Sequence, residues 1–119
     1  MNGLELSKKI AGYLDAKKAQ DVKILKIDDL TVVTDYIVIA TGTSTTQVKA
    51  LADEVDFMVE KDYEIKPSRV EGYESKNWIL LDYDTVIVHV FHPQAREYYN
   101  LDKLWADGVE IETDATNEE

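Results

Sequence analysis

Two short polar segments carry the residue types that could support nucleotide chemistry. Asp82-Tyr83-Asp84 places two carboxylates at the end of an apolar run, as in the metal-binding pair of enzymes that transfer nucleotides. Gly42-Thr43-Ser44 stands between a predicted strand and a predicted helix, where free backbone amides can bind a phosphate. The carboxylate pair would need further acids and a basic triphosphate site, and this acidic chain has no cluster of Lys or Arg. Gly42-Thr43-Ser44 lacks the glycine spacing and the lysine of nucleotide-binding loops, which favours a turn that caps a helix.

The remaining reactive residue types do not form a predicted site. His89 and His92 are three positions apart on a strand and its exit, so they point to opposite faces and cannot easily share a metal. The chain has no cysteine, hence no thiolate nucleophile, disulfide or Cys-based metal site. No serine is singled out for a triad. We therefore predict no catalytic residue, no metal site and no cofactor.

Net charge bears on the class of partner. The 119 residues include 24 acidic and 13 basic side chains, giving a formal charge of −11. Such a surface repels nucleic acid, whose binding depends on Lys and Arg, and attracts basic protein surfaces. No apolar run approaches the roughly 20 residues that span a bilayer, and the first ten residues lack the apolar core and small-residue cleavage site of a signal peptide. We expect a cytoplasmic protein with no membrane association and no direct recognition of nucleic acid.

The segment from 77 to 105 is the most informative part of the chain. Residues 78–83 and 86–91 are apolar runs separated by Asp84-Thr85, which predicts an antiparallel hairpin with Leu80 opposite His89. In this register one face of the hairpin is wholly apolar and belongs to the core. The other face mixes large apolar groups with a carboxylate and an imidazole: Trp78, Leu80, Asp82, Ile87, His89 and Phe91.

We interpret this mixed face as a surface for a partner, because a core seldom accepts an unpaired carboxylate or imidazole. Two alternatives remain open. Trp78 could belong to the core, and His89 could be a buried histidine with its hydrogen bonds satisfied. A register slip of one residue would also exchange the two faces, since Asp-Thr is not a preferred two-residue turn.

The other elements must support this hairpin. The pattern predicts an amphipathic helix over 4–14, a strand over 22–27 near a sheet edge, and a central strand over 36–40. Ser44 and Gln47 form a capping box for a helix that runs to about Lys61, and an edge strand follows over 69–73. Pro93 starts a helix after the hairpin. Asn100 caps a short one in which three apolar side chains point one way: Leu101, Leu104 and Trp105.

This order predicts an α/β fold: one domain on a mixed sheet of about five strands, flanked by helices. The domain is expected to cover residues 1–106. Residues 107–119 are acidic and lack aromatic side chains, which predicts a disordered tail.

Several motifs together resemble the ribosomal silencing factor family, also called Iojap-like proteins. The resemblance covers residues 4–107, and its motifs are D-Y-I-V-I-A-T-G-T-S from Asp35, V-E-G from Val70, W-I-L-L-D-Y from Trp78, V-I-V-H-V-F from Val86 and R-E-Y-Y-N-L-D-K-L-W from Arg96. It implies a fold like that of nucleotidyltransferases, without their activity. The alternative from the residues alone is a nucleotidyltransferase-like enzyme using Asp82 and Asp84.

The resemblance also implies a function. A family member binds large-subunit ribosomal protein fourteen on the intersubunit face and sterically prevents the small subunit from joining, which represses translation when nutrients are scarce. It implies a homodimer for the free protein and a ribosomal contact through Trp78. Combined with the mixed face, this gives four expected partner-binding residues: Trp78, Leu80, Asp82 and His89. A third reading is a dimeric scaffold in which the Trp78 face is the dimer interface.

Overall fold

The computed structural model describes residues 2–113. Its elements in chain order are α1 (Gly3–Ala16), β1 (Gln20–Lys26), β2 (Tyr36–Thr41), α2 (Thr45–Tyr63), β3 (Arg69–Glu71), β4 (Trp78–Asp82), β5 (Val86–Phe91), α3 (Pro93–Tyr99), α4 (Leu101–Leu104) and β6 (Val109–Ile111). The α/β class is confirmed, with one strand more than the sequence predicts.

The six strands form one mixed sheet in the order β3-β4-β5-β2-β1-β6. The pair β2 and β5 is parallel, and the other neighbours are antiparallel. As predicted, β2 is central, and its residues from Ile37 to Thr41 are all buried. A strand that is covered on both faces needs apolar side chains at successive positions, which explains the continuous apolar run in this segment.

The helices α1 and α2 cover one face of the sheet. The Ser44 hydroxyl caps α2 by accepting a hydrogen bond from the Gln47 amide, while the Gln47 side chain accepts from the amide and hydroxyl of Thr43. The apolar stripe of α2 is buried except for Met58, which is half-buried; it consists of Val48, Leu51, Ala52, Val55, Met58 and Val59. This face of the sheet and its helices enclose the larger core, which includes Ile10, Leu14, Val38, Leu51, Val55, Leu81 and Val88.

The short helices α3 and α4 cover part of the opposite face. Pro93 occupies the first turn of α3 as predicted, and the His92 ring accepts a hydrogen bond from the Gln94 amide as the N-cap. Asn100 ends α3 in a left-handed conformation and caps α4. A smaller core lies beneath these helices and along the same face of the sheet: Leu25, Ile27, Ile37, Ile39, Ile87, Phe91 and Leu101.

Arg96 fixes α3 to the rest of the fold. Its guanidinium donates to both carboxylate oxygens of Asp102, at 3.2 and 3.0 Å. It also donates to the backbone oxygen of Asp21 at 2.6 Å and to the hydroxyl of Thr41 at 2.9 Å. Lys23 adds an ion pair to Asp102 at 2.9 Å. Burial alone would raise the pKa of Asp102, but the hydrogen bonds from these two cations lower it to about 2.

Three expectations about the end of the sheet are corrected. The segment that we assigned to the tail contains β6, which pairs with the outer edge of β1. As a result β1 lies one strand inside the edge, and its lysines are placed by ion pairs to Asp102 and Asp28. Leu104 does not face the core; its side chain is 65% exposed. The rest of the predicted tail, residues 114–119, lies outside the described residues.

Candidate functional site

The hairpin has the register that the sequence predicts. Trp78 pairs with Phe91 and Leu80 pairs with His89. The residues of the wholly apolar face join the larger core, as expected. The mixed face is therefore the one that turns toward α3, and it is more buried than predicted: Ile87, His89 and Phe91 are buried, while Trp78, Leu80 and Asp82 are half-buried.

An aromatic cluster forms where this face meets the end of α3. The centre of the Trp78 ring lies 4.9 Å from that of Phe91 and 4.6 Å from that of Tyr99. Tyr98 and Tyr99 meet edge to face at 5.0 Å. We call Trp78, Tyr98 and Tyr99 the aromatic patch, because Tyr98 is 81% exposed and Tyr99 is 51% exposed. Leu80 lies two residues along β4 on the same face.

The two tyrosines are candidate site residues that the sequence analysis does not predict. In the sequence they simply continue the helix after Pro93. Their exposure depends on how α3 docks, which Arg96 determines through partners up to 75 positions away. The sequence does contain one indication of their exposure. They are adjacent aromatic residues, and a short amphipathic helix cannot bury both of two neighbouring side chains.

His89 is buried beneath Trp78. The Trp78 indole nitrogen donates a hydrogen bond to His89 Nδ1 at 3.0 Å. Burial lowers the pKa of His89 to about 4, so the ring is neutral at physiological pH. His89 therefore lies in the environment of one alternative left open by the sequence, a buried histidine whose hydrogen bond is satisfied. With 7% of its surface exposed, His89 has little area for direct contact with a partner.

Asp82 and Asp84 are engaged in the hairpin turn. The Asp82 carboxylate accepts from the Asp84 amide at 2.8 Å and pairs with Arg69 at 3.4 Å. Asp84 has a left-handed backbone conformation, and its carboxylate accepts from the Ser68 hydroxyl. Across residues 2–113, no three His, Cys, Asp or Glu side chains are grouped so that they could hold a metal ion. This pair of carboxylates organises a turn, in the manner of local Asp–backbone hydrogen bonds.

Trp78 is also fixed from the backbone side. Gly72 has a φ of +95°, and a Cβ at this position would lie 1.9 Å from the carbonyl oxygen of Trp78. Only glycine allows such an approach. The V-E-G segment thus holds the start of β4 tightly. Beside the patch, a cleft of about 230 Å³ presents polar groups next to the tyrosines; it is lined by Asn77, His92, Gln94, Ala95, Tyr98 and Tyr99.

Comparison with known proteins now identifies the family. The family described as "RsfS: Ribosomal silencing factor during starvation" matches residues 2–119. The chain belongs to the ribosomal silencing factor family. It is 39% identical to the ribosomal silencing factor of Halalkalibacterium halodurans over 94% of this chain and 95% of that protein. It is 38% identical to that of Bacillus subtilis, over 90% of each.

A solved structure agrees with the fold. A crystal structure of a Chromobacterium violaceum protein superposes with a TM-score of 0.85 at 34% identity, covering 96% of this chain and 93% of that one. Ribosomal silencing factors are not enzymes, which agrees with the use of Asp82 and Asp84 in a turn. Within residues 2–113, none of the helices combines the length and apolar composition needed to cross a bilayer.

Proposed function

We propose that this ribosomal silencing factor binds large-subunit ribosomal protein fourteen through the aromatic patch and Leu80, and thereby keeps the small subunit from joining. The observation that carries this proposal is the exposure of Tyr98 and Tyr99 beside a rigidly held Trp78. Aromatic side chains are enriched at the centres of protein interfaces, where they bury large areas at low entropic cost. The choice of large-subunit ribosomal protein fourteen as the partner rests on the resemblance to the ribosomal silencing factor family.

The residues of the aromatic patch differ in how much surface they can still bury against a partner. A free indole can lose roughly 150–250 Å² to a partner, but Trp78 has already lost part of this area within the fold. Tyr98 keeps most of its surface and so has the most left to bury. Full burial of a large apolar side chain contributes roughly 1.5–3 kcal/mol before the cost of association. Loss of any one member should therefore weaken binding strongly.

Charge favours a protein partner on a particle that is rich in RNA. The net charge of −11 opposes contact with phosphates and favours a basic protein surface. Asp82 lies on the same face, two residues beyond Leu80 on β4, and a basic group of the partner would share its carboxylate with Arg69. Asp82 then acts at the rim, where a single charge contributes less than a buried aromatic ring.

The mechanism requires no catalysis. While this domain is bound to the intersubunit face of the large subunit, its volume excludes the small subunit. We place this action in the cytoplasm. We include in the proposal that the free protein is a homodimer. Light scattering of the purified chain measures this directly, and a mass of about one chain would contradict it.

Co-sedimentation with purified large subunits tests the binding. We expect the wild-type chain to pellet with the large subunit and Trp78→Ala to remain in the supernatant. Phe57→Ala is the matched control, because Phe57 is an aromatic residue 60% exposed on α2, away from the patch. Circular dichroism verifies that each variant is folded. If Trp78→Ala and Phe57→Ala both pellet like wild type, the aromatic patch is not the contact; if the folded Trp78→Ala is monomeric yet still pellets, the patch is instead the dimer interface.

A further inference from the structure

We propose that His89 is a positioning residue for ribosome binding: through Nδ1 it holds the indole of Trp78 in the orientation that the partner recognises. This inference rests on the proposed function and adds a role for a residue that does not itself reach the partner. Its basis is the hydrogen bond from the Trp78 indole nitrogen to His89 Nδ1, at 3.0 Å.

The geometry places the hydrogen bond at the base of the patch. His89 lies on β5 and Trp78 on β4, on the same face of the hairpin. The ring centres of the two residues are 5.8 Å apart, and the Phe91 ring lies 6.1 Å from His89, nearly parallel to it. Phe91 and Tyr99 contact the Trp78 ring without any directional bond. Among residues 2–113, His89 is the hydrogen-bond acceptor of the indole nitrogen.

A histidine is a costly choice for this buried position unless its nitrogen is used. The rings of Trp78 and Phe91 pack against it, and Ile39 and Leu80 are its partners on the neighbouring strands. Burial of a polar group is unfavourable without a hydrogen bond. The indole nitrogen is a donor and needs an acceptor. Nδ1 accepts when it carries no proton, so the form of His89 that holds Trp78 is the neutral ring with its proton on Nε2. The burial that lowers the pKa of His89 keeps it in this form.

Positioning affects binding through entropy. A side chain that must be ordered on binding lowers the affinity by roughly twofold to tenfold compared with one that is already in place. Trp78 is half-buried, so its outer edge faces the partner while its nitrogen points inward to His89. Without this bond the ring would be held only by its packing against Phe91 and Tyr99, which restricts its rotamer less.

The test combines binding with a spectroscopic readout. The chain has two tryptophans, so its ¹H–¹⁵N spectrum contains two indole N–H signals, which Trp105→Phe assigns. His89→Leu should shift the Trp78 signal and weaken binding to large subunits by twofold to tenfold. His89→Asn, whose amide oxygen can take the place of Nδ1, should restore both. A purely structural role would lower the melting temperature without this pattern of rescue.

A double-mutant cycle completes the test. Trp78→Phe keeps a ring but removes the donor, so His89→Leu should have no further effect on binding in that background. The inference is overturned if His89→Leu binds like wild type, or if the two losses multiply. In that case Trp78→Ala still reports separately on the proposed function. If the wild-type chain itself fails to bind large subunits, the proposed function falls and this inference falls with it.

Discussion

Arg96→Ala should lower the free energy of unfolding by about 3 kcal/mol, because this side chain ties α3 to α4 and to two distant parts of the chain. Its guanidinium donates four hydrogen bonds, two of them to the Asp102 carboxylate, and the side chain is 13% exposed. A hydrogen bond to a charged group contributes roughly 1.5–3 kcal/mol, and one to a neutral group about 1 kcal/mol.

The sum of these terms overestimates the loss. The two bonds to Asp102 act as one bidentate pair, and Asp102 keeps Lys23 at 2.9 Å, so its carboxylate does not become an unpaired buried charge. About 3 kcal/mol is therefore the expected value. For a domain of this size it corresponds to a fall of roughly 10 °C in melting temperature.

Urea unfolding followed by circular dichroism measures the change. Lys49→Ala is the control, since it removes an exposed ion pair between neighbours on α2, 2.7 Å long, and should cost less than about 0.5 kcal/mol. A loss for Arg96→Ala no larger than that of the control would refute the view that Arg96 holds α3 in place. The tyrosines of the patch would then owe their position to apolar packing, which includes Ala95 and Leu101 in the smaller core and the Trp78 ring against Tyr99.

Three further predictions concern stability. The pKa of His89 is about 4 in the fold against a usual 6.5, so on acidification the imidazole is protonated in the unfolded chain before it is protonated in the fold. The free energy of unfolding should therefore be fully maintained above pH 6.5 and fall by about 3 kcal/mol toward pH 4. His89→Leu should lack this part of the pH dependence. Tyr83→Phe should leave stability unchanged or raise it by about 1 kcal/mol in thermal unfolding, because among the described residues the buried Tyr83 hydroxyl has no hydrogen-bond partner; a clear loss would reveal a bond to that hydroxyl. Gly72→Ala should cost more than about 2 kcal/mol, since a Cβ cannot fit against the Trp78 carbonyl; Gly12→Ala in α1, where a Cβ meets nothing within 4 Å, is the control and should stabilise.

The hairpin could be predicted because its information is local. Alternation and the position of Asp84-Thr85 together specify the register, and the structure has Leu80 opposite His89 as expected. The predicted caps at Ser44 and Asn100 likewise depend on residues within a few positions. Such features can be predicted from the sequence because the residues that determine each of them are close together along the chain.

Features that depend on distant partners could not be predicted in the same way. The strand β6 is only three residues long and lies in an acidic segment, and it is a strand because β1 offers it an edge at Ile24 and Lys26. The burial of His89 likewise depends on its packing against Trp78 and Phe91, because alternation identifies the face of a strand but not what covers it. The exposure of Tyr98 follows from the docking of α3.

Subunit joining in the presence of the purified chain is the most direct test of the central claim. Large subunits are incubated with the wild-type chain, Trp78→Ala or Phe57→Ala, small subunits are added, and the fraction of intact ribosomes is measured on a density gradient. We predict that wild type and Phe57→Ala lower this fraction and that Trp78→Ala does not. A folded Trp78→Ala that lowers it as much as wild type would contradict the role of the aromatic patch, and a wild-type chain that binds large subunits without lowering it would contradict the steric mechanism.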